Sequence, residues 1–354
     1  MKLFTVGPVA CYPRVLETMG MQMVSHRSKE YKEIHFETVE QLQGFLETDY
    51  PIFLFSSTGT GFMEAAVRNC VRDKMIVCVN GSFGQRFADV ATANGRDVFL
   101  VESELGEPTR PETLEKALED EPDVEAVAIT HNETSVGLIN ELPKLTEVCR
   151  KYDKLVLVDA VSSMGGTDIK VDEWGIDICF SSSQKCFGVP PGIGVGSVSQ
   201  RALDVSEDMP SKGWYFDLKV WEKNHLSGKG TPMTSTIPQV AGLNTALKMI
   251  EEMGGKEEYF ALYKRRNRLI REGVEKLGMG TYPLKGYESP TVSCVKTPAG
   301  MSGPEVYNAM REHDFELAQG YGALKQETFR IGNMGWIPDE YIVDMLSALG
   351  KVVS

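Results

Sequence analysis

Between residues 50 and 200 the sequence alternates short apolar runs with segments of helical pattern. Each apolar run is only a few residues long and is rich in Val, Ile, Leu and Phe; the runs cover residues 52–55, 75–79, 98–101, 124–129, 155–158 and 176–180. The segments between them are more polar, as at 111–118. Buried strands that alternate with helices build a mostly parallel sheet covered on both faces, so the sequence predicts an α/β fold.

Length and charge narrow the class of protein. A chain of 354 residues predicts about two domains, since a domain takes roughly 150 residues. The 37 basic and 50 acidic residues leave a net charge of −13, which disfavours nucleic acid and anionic membranes as partners. No run of 18 apolar residues is present, and residues 1–8 lack the apolar stretch of a secretion signal.

The cysteines and histidines indicate a reducing compartment and no metal. Seven scattered cysteines contain no C-x-x-C pair, and five dispersed histidines show no metal-ligand spacing. We therefore expect reduced thiols, a cytoplasmic location and no metal site.

Two helices are predicted after the alternating region. The first covers 240–252 and stops at Gly254-Gly255, because glycine readily ends a helix. The second covers about 257–277, and its predicted apolar side consists of Leu262, Leu269, Ile270, Val274 and Leu277. Beyond residue 280 the strands are shorter and turn-rich, which indicates a smaller α+β unit.

The loop after the first apolar run is a candidate phosphate cradle. It reads Ser-Ser-Thr-Gly-Thr-Gly over 56–61 and precedes a predicted helix, whose first amides and hydroxyls would attract a phosphate. A simple strand–helix turn with an N-cap explains this segment equally well. A nicotinamide dinucleotide loop would need a third glycine where Glu64 stands.

An acid and a lysine follow two neighbouring predicted strands. Asp159 ends the run 155–158, and Lys185 lies 26 residues later, one strand–helix–strand step away. Asp159 alone is as readily a helix cap, and Ser182-x-x-Lys185 lacks the partner motifs of penicillin-binding enzymes. Ligands bind at the carboxyl ends of such strands. A carboxylate for a pyridinium nitrogen, a lysine for a Schiff base and a phosphate cradle together predict a pyridoxal 5′-phosphate (PLP) site.

With these residues in view, the whole chain resembles the class V aminotransferases, PLP-dependent enzymes of fold type I. The motifs that carry the resemblance lie at 5–9, 24–30, 58–60, 80–84, 130–134, 158–162, 183–185, 230–234 and 329–332. The resemblance implies a large PLP-binding domain with a mostly parallel seven-stranded sheet and a smaller α+β C-terminal domain. It divides the chain into an N-terminal segment (1–14), the large domain (15–245) and the small domain (246–354).

The resemblance also implies a role for individual residues. Lys185 would bind the cofactor covalently and move a proton, while Asp159 would pair with the ring nitrogen. Arg330 would bind the substrate α-carboxylate, and His26 and Arg27 would lie toward the substrate. The remaining cofactor-binding residues would be Thr58, Gly59, Thr60 and Gln184 at the phosphate, Phe83 against the ring, Thr134 at the ring oxygen, Thr231 at the cofactor of the second subunit of a homodimer, and Val161, which is assigned to no single group of the cofactor.

Several of these residues have a structural alternative. Phe83 is alternatively a core residue, Arg330 half of an ion pair and Thr231 a turn residue. His26 and Arg27 are as readily structural residues near the entrance. The resemblance favours transfer of the amino group of alanine or serine to glyoxylate or pyruvate. Phosphoserine aminotransferase is the main alternative, and a lyase such as cysteine desulfurase is a weaker one, because the candidate loop cysteine, Cys294, lies in a strand-like pattern.

Overall fold

A seven-stranded sheet forms the centre of the computed structural model, which describes all 354 residues. The strands are β1 Lys2–Leu3, β2 Ile52–Phe55, β3 Lys74–Val79, β4 Asp97–Glu102, β5 Ala126–Thr130, β6 Asn132–Glu133, β7 Leu138–Ile139, β8 Leu155–Asp159, β9 Ile178–Ser182, β10 Gly194–Val198, β11 Val292–Lys296, β12 Phe315–Glu316, β13 Ala318–Gln319 and β14 Thr328–Gly332. The helices are α1 Pro13–Met19, α2 Lys29–Leu46, α3 Gly59–Cys70, α4 Ser82–Ala93, α5 Pro111–Asp120, α6 Leu142–Lys151, α7 Val171–Trp174, α8 Gln200–Glu207, α9 Leu218–Leu226, α10 Ile237–Glu252, α11 Lys256–Lys276, α12 Gly303–Glu312 and α13 Asp339–Val353.

The strand order of the central sheet is β2-β10-β9-β8-β5-β3-β4. Strand β10 pairs antiparallel with both neighbours, and the other pairings are parallel. The predicted α/β fold with a mostly parallel seven-stranded sheet is therefore confirmed. Because β2, β8 and β9 point the same way, their carboxyl ends meet at one edge of the sheet.

Six of the seven central strands coincide with the predicted apolar runs, and β10 is the one that the sequence pattern missed. Two of its five residues are glycines, so it lacks an apolar run. The packing explains the glycines: a Cβ on Gly196 would lie 2.2 Å from the Phe62 ring, and a Cβ on Gly194 would lie 2.9 Å from the Thr58 carbonyl oxygen. Helix α3 packs directly against this strand.

The two helices predicted after the sheet are present as α10 and α11, but the apolar side predicted for α11 was partly wrong. Leu269 is exposed. The buried side instead carries Tyr259, Tyr263, Ile270 and Val274. Together with the buried Arg266 and Asn267 they recur every three to four positions. Leu269 lies a helical step of about 100° away from Ile270.

Alternate side chains of the central strands enter different cores. In β2, Ile52 and Leu54 belong to a cluster of 45 buried residues, while Phe53 and Phe55 belong to a cluster of 26. A third cluster of 16 residues takes its members from the C-terminal part of the chain and adds Phe4. The division of the chain at residues 14 and 245 stays a prediction.

All seven cysteines are unpaired, and six of them are buried. Cys294 lies in β11, as its alternating pattern predicted. No helix is both long and apolar enough to cross a bilayer. No group of three or more His, Cys, Asp or Glu side chains is arranged to hold a metal ion.

Candidate active site

A cavity of about 210 Å³ lies at the sheet edge where β2, β8 and β9 end. Most of the residues that sequence reasoning assigned to the cofactor line it. Its walls are formed by Gly7, Thr58, Gly59, Thr60, Met63, Phe83, Arg86, Asp159, Val161, Ser182, Gln184 and Lys185.

The first turn of α3 forms one end of the cavity. Thr58 is the N-cap, and its Oγ1 accepts a hydrogen bond from the Gly61 amide at 3.4 Å. The amides of Gly59 and Thr60 precede any intrahelical acceptor and are available to an anion. A Cβ on Gly59 would lie 2.4 Å from Val161 Cγ2, so only glycine fits there. This end of the cavity is suited to a phosphate.

Asp159 ends β8 and is buried. Its Oδ1 accepts a hydrogen bond from the Val161 amide at 2.8 Å. Burial raises the pKa of Asp159 from 3.8 to about 7, while the Val161 hydrogen bond opposes that change. A carboxylate held this way gains greatly from a protonated ring nitrogen beside it.

Lys185 lies in the turn after β9, and its Nζ donates to the Val6 carbonyl oxygen at 2.5 Å. Burial, together with the positive charge of Arg330, lowers the pKa of Lys185 from 10.5 to about 8. The uncharged amine that a nucleophile and proton carrier requires is therefore far more populated near neutral pH than in an exposed lysine. A Cβ on Gly7 would lie 2.6 Å from Lys185 Nζ, which explains the glycine.

Phe83, in the first turn of α4, lies on one wall between two other side chains. Its ring stacks on Tyr321 with centroids 5.8 Å apart, and the Arg86 guanidinium lies 4.7 Å from its centroid. Arg86 also donates to the Tyr321 hydroxyl at 3.0 Å. These contacts fix the plane of the Phe83 ring where it faces the cavity.

Arg330 is a buried cation that forms no salt bridge with any carboxylate of the chain. Its Nε donates to the Gln319 carbonyl oxygen at 2.9 Å and its Nη1 to the Thr134 carbonyl oxygen at 3.0 Å. The hydroxyl of Thr134 is 2.7 Å from Ser162 Oγ. A buried guanidinium without a counter-ion is a natural site for a carboxylate.

Five predicted residues do not line the cavity of the single chain: Thr134 and Arg330, described above, and Thr231, Arg27 and His26. The hydroxyl of Thr231 donates to the Met233 carbonyl oxygen at 2.8 Å. Arg27 is exposed and donates to the Thr231 carbonyl oxygen at 2.7 Å, and His26 precedes it in a half-buried position. Arg27 thereby contacts the loop 229–232.

Sequence reasoning did not single out Arg86 and Ser182 as cavity residues. Arg86 lies three positions after Phe83, so a helical spacing starting from Phe83 would have identified it. The hydroxyl of Ser182 is buried without a partner, as is the side-chain oxygen of Gln184. Only the folded arrangement reveals these two unpaired groups at the cavity.

The comparison with known proteins agrees with this geometry. The sequence model of the family "Aminotransferase class-V" matches residues 12–320. The chain belongs to the class-V aminotransferase family. Its cofactor is PLP, and the enzyme is a PLP-dependent transaminase, as the sequence predicted.

Relatives of this class-V aminotransferase match along nearly its whole length. An uncharacterised aminotransferase of Methanocaldococcus jannaschii is 32% identical over 98% of this chain and 91% of its own. The alanine–glyoxylate aminotransferase of Drosophila melanogaster is 32% identical over 98% of this chain and 91% of its own. The crystal structure of the alanine–glyoxylate aminotransferase of a Nostoc species is 31% identical, covers 99% of this chain and 95% of its own, and superposes with a TM-score of 0.95.

The cavity of this class-V aminotransferase fits PLP on structural grounds. The anion-binding turn of α3 matches the phosphate of PLP, and the buried Asp159 matches its basic ring nitrogen. The Ser182 hydroxyl, which has no partner in the chain, is free to bond a polar atom of the cofactor. When bound, PLP supplies an electron-withdrawing ring that stabilises the negative charge formed at the substrate Cα. The residues of the protein bind and orient the cofactor and the substrate, and they move protons.

Proposed function

We propose that this enzyme transfers the amino group of a small L-amino acid, alanine or serine, to glyoxylate or pyruvate by a ping-pong mechanism. The observation that carries the proposal is the buried guanidinium of Arg330. It has no carboxylate partner in the chain and lies close enough to Lys185 to lower the pKa of that amine. Alanine, serine, glyoxylate and pyruvate share one carboxylate that such a group can bind. The names of the Drosophila and Nostoc relatives support glyoxylate as the acceptor.

In this proposal each residue of the site has its own role. Lys185 Nζ attaches the cofactor and carries the proton at the substrate Cα, and Asp159 holds the proton of the ring nitrogen. Thr58, Gly59, Thr60 and Gln184 bind the phosphate. Phe83 and Val161 pack on the ring, and Thr134 lies toward its oxygen.

The hydrogen bonds that Arg27 already forms support a donor without a second anionic group. A phosphoserine donor would need a further anion site, for which His26 and Arg27 are the candidates. Because Arg27 already donates to three backbone carbonyls, those of Lys229, Thr231 and Pro232, we favour the smaller donors.

The decisive experiment follows the visible absorbance of the PLP-loaded protein. L-alanine, L-serine and O-phospho-L-serine are each added without an oxo acid, and the released oxo acid is counted per site. We expect bleaching with alanine or serine and recovery of the colour when glyoxylate is added. Bleaching by phosphoserine alone, with recovery by 2-oxoglutarate, would overturn the substrate choice. Release of free ammonia without lasting bleaching would indicate a lyase, because a transaminase keeps the amino group on its cofactor until an oxo acid is added.

Replacing Arg330 with alanine is expected to raise the KM for every amino donor about 10- to 100-fold, because a charge-assisted hydrogen bond to a buried carboxylate is lost. Steady-state kinetics with alanine and serine measure the effect. Arg311→Ala on the exposed face of α12 is the matched control and is expected to leave KM unchanged. An unchanged KM in Arg330→Ala would remove Arg330 from the carboxylate site.

We further propose that the active unit is a cytoplasmic homodimer in which Thr231 contacts the cofactor of the other subunit. Large apolar side chains exposed on the single chain support a second subunit: Met21 is 71% exposed and Leu226 76%. The seven unpaired cysteines support a reducing compartment. Light scattering should give twice the 39.2 kDa mass of one chain.

Complementation tests the exchange of Thr231 between subunits. Thr231→Ala and Lys185→Ala are each expected to be inactive or weakly active alone. Mixed subunits should regain activity, because one of the two sites in a mixed dimer combines an intact Lys185 with an intact Thr231. A dimer that regains no activity on mixing would contradict the proposed role of Thr231.

A further inference from the structure

The backbone carbonyl of Cys186, the residue directly after Lys185, accepts two phenolic hydrogen bonds. Tyr259 donates at 2.6 Å and Tyr263 at 2.7 Å. Both tyrosines and Cys186 are buried. A carbonyl oxygen has two lone pairs, so this one is fully occupied by side chains of a single helix.

The two donors form a rigid pair. Tyr259 and Tyr263 lie four residues apart on α11 and therefore share one face of the helix. Their rings meet edge to face with centroids 5.0 Å apart, and their hydroxyl oxygens are 3.2 Å apart. Burial raises the pKa of both phenols well above 10, so both remain protonated donors.

Other segments hold this pair in place. The Gly335 amide donates to the Tyr263 hydroxyl at 3.1 Å. The Tyr12 hydroxyl lies 3.5 Å from the Tyr259 hydroxyl. A Cβ on Gly188 would lie 3.1 Å from the Tyr12 ring, so the turn that follows Lys185 packs closely on the same cluster.

Lys185 is thus held both at its side-chain amine and at its backbone. Its Nζ contacts the Val6 carbonyl oxygen, and its own carbonyl oxygen accepts from the Gly188 amide at 2.9 Å. Val6 and Tyr12 belong to one N-terminal segment, which contacts both the Lys185 amine and the turn that follows Lys185. A long side chain delivers its amine accurately only when the backbone that carries it is held still.

We propose that Tyr259 and Tyr263 are positioning residues for Lys185, which share the Cys186 carbonyl so that Lys185 Nζ reaches the substrate Cα. The inference rests on the proposed function of Lys185. Since either phenol can occupy the carbonyl alone, one hydroxyl substitutes for the other. Loss of both releases the backbone of the turn.

The test compares two double variants that each lose two hydroxyls. Tyr259→Phe/Tyr263→Phe leaves the Cys186 carbonyl without a donor, whereas the matched control, Tyr12→Phe/Tyr259→Phe, keeps Tyr263 on it. The two single variants, Tyr259→Phe and Tyr263→Phe, complete the set. Two quantities are measured on the full chain: the single-turnover rate of cofactor bleaching by L-alanine, and hydrogen exchange of the segment 183–189 without cofactor.

We expect the single variants and the control double variant to stay within about twofold of wild type. Tyr259→Phe/Tyr263→Phe should bleach about tenfold more slowly at saturating alanine, with a half-saturating concentration within about twofold of wild type, because misplacement acts on the reacting step. Exchange of 183–189 should accelerate at least about fivefold in that variant alone.

Three results would overturn the inference and leave the proposed function intact. A wild-type bleaching rate in Tyr259→Phe/Tyr263→Phe would show that the tyrosines serve stability only, and so would unchanged exchange of 183–189. A tenfold loss in a single variant or in Tyr12→Phe/Tyr259→Phe would show that the carbonyl is not a shared acceptor; this comparison stands even if the first double variant does not fold. A wild-type protein that attaches no cofactor at Lys185 would instead overturn the proposed function together with the inference.

Discussion

Replacing Lys185 with alanine is expected to lower turnover at least about a thousandfold, because the variant loses both covalent attachment of the cofactor and the proton carrier at the substrate Cα. The phosphate-binding turn of α3 is untouched, so the variant should still bind PLP without a covalent bond. Borohydride reduction followed by mass spectrometry separates the two losses. Only the wild-type peptide that contains Lys185 should gain the mass of the reduced cofactor.

Lys185→Arg is the matched control for charge. It keeps a cation beside Asp159 but cannot attach the cofactor, so its turnover should fall as far as that of the alanine variant. Residual turnover within tenfold of wild type in either variant would move the reactive amine to another lysine. Attachment of cofactor to a different peptide after reduction would do the same.

The second large effect concerns Asp159→Asn, whose influence on stability and on catalysis should have opposite signs. The pKa of Asp159 is raised in the folded, cofactor-free protein from 3.8 to about 7. Between these values the folded state holds a proton that the unfolded state has lost, so the contribution of Asp159 to stability falls as pH rises from about 4 to 7. Asparagine carries no charge and escapes this cost.

Without cofactor, Asp159→Asn should therefore be more stable than wild type above pH 7, by on the order of 1–3 kcal/mol. The difference should shrink toward pH 4. Urea unfolding of both cofactor-free proteins at several pH values measures it. A difference that does not change with pH would show that the carboxyl group titrates normally.

With PLP bound, the same substitution should weaken cofactor retention and slow turnover, because the ring nitrogen loses its anionic partner. Asp177→Asn offers a comparison. Asp177 is also buried, but its Oδ2 accepts from the Val156 amide and its Oδ1 from Ser199, away from the cavity. Burial raises the pKa of Asp177 too, but an asparagine can accept only one of its two hydrogen bonds. Asp177→Asn should therefore reduce stability without a selective effect on cofactor binding. Full activity in Asp159→Asn would remove Asp159 from the ring nitrogen.

Strands with strong apolar runs were predictable from the sequence, and the exceptions have physical causes. Strand β10 was missed because glycines let α3 approach it closely, and tight packing of that kind leaves no apolar pattern. The buried side of α11 was misassigned because hydrophobicity alone included Leu269. The buried face of that helix also carries tyrosines whose hydroxyls form hydrogen bonds.

The candidate site was predictable to the extent that its residues directly follow strands. Asp159 and Lys185 meet because β8 and β9 are parallel neighbours, a consequence of their spacing in sequence. Arg330 comes from a different sheet, and its lack of a counter-ion is visible only when every buried neighbour is known. The same applies to Tyr259 and Tyr263, whose partner lies more than 70 residues away along the chain.

The contact between Lys185 and Val6 depends on pairing between distant parts of the sequence. Strand β1 pairs with β12, Lys2 opposite Phe315, and the Gly332 amide donates to the Phe4 carbonyl oxygen. Residues 2–4 thus find their partners more than 300 positions further along the sequence. Contacts of such long range carry a high entropic cost of loop closure and form late in folding. We therefore expect the wall beside Lys185 to be among the last parts of the site to form when the unfolded chain refolds.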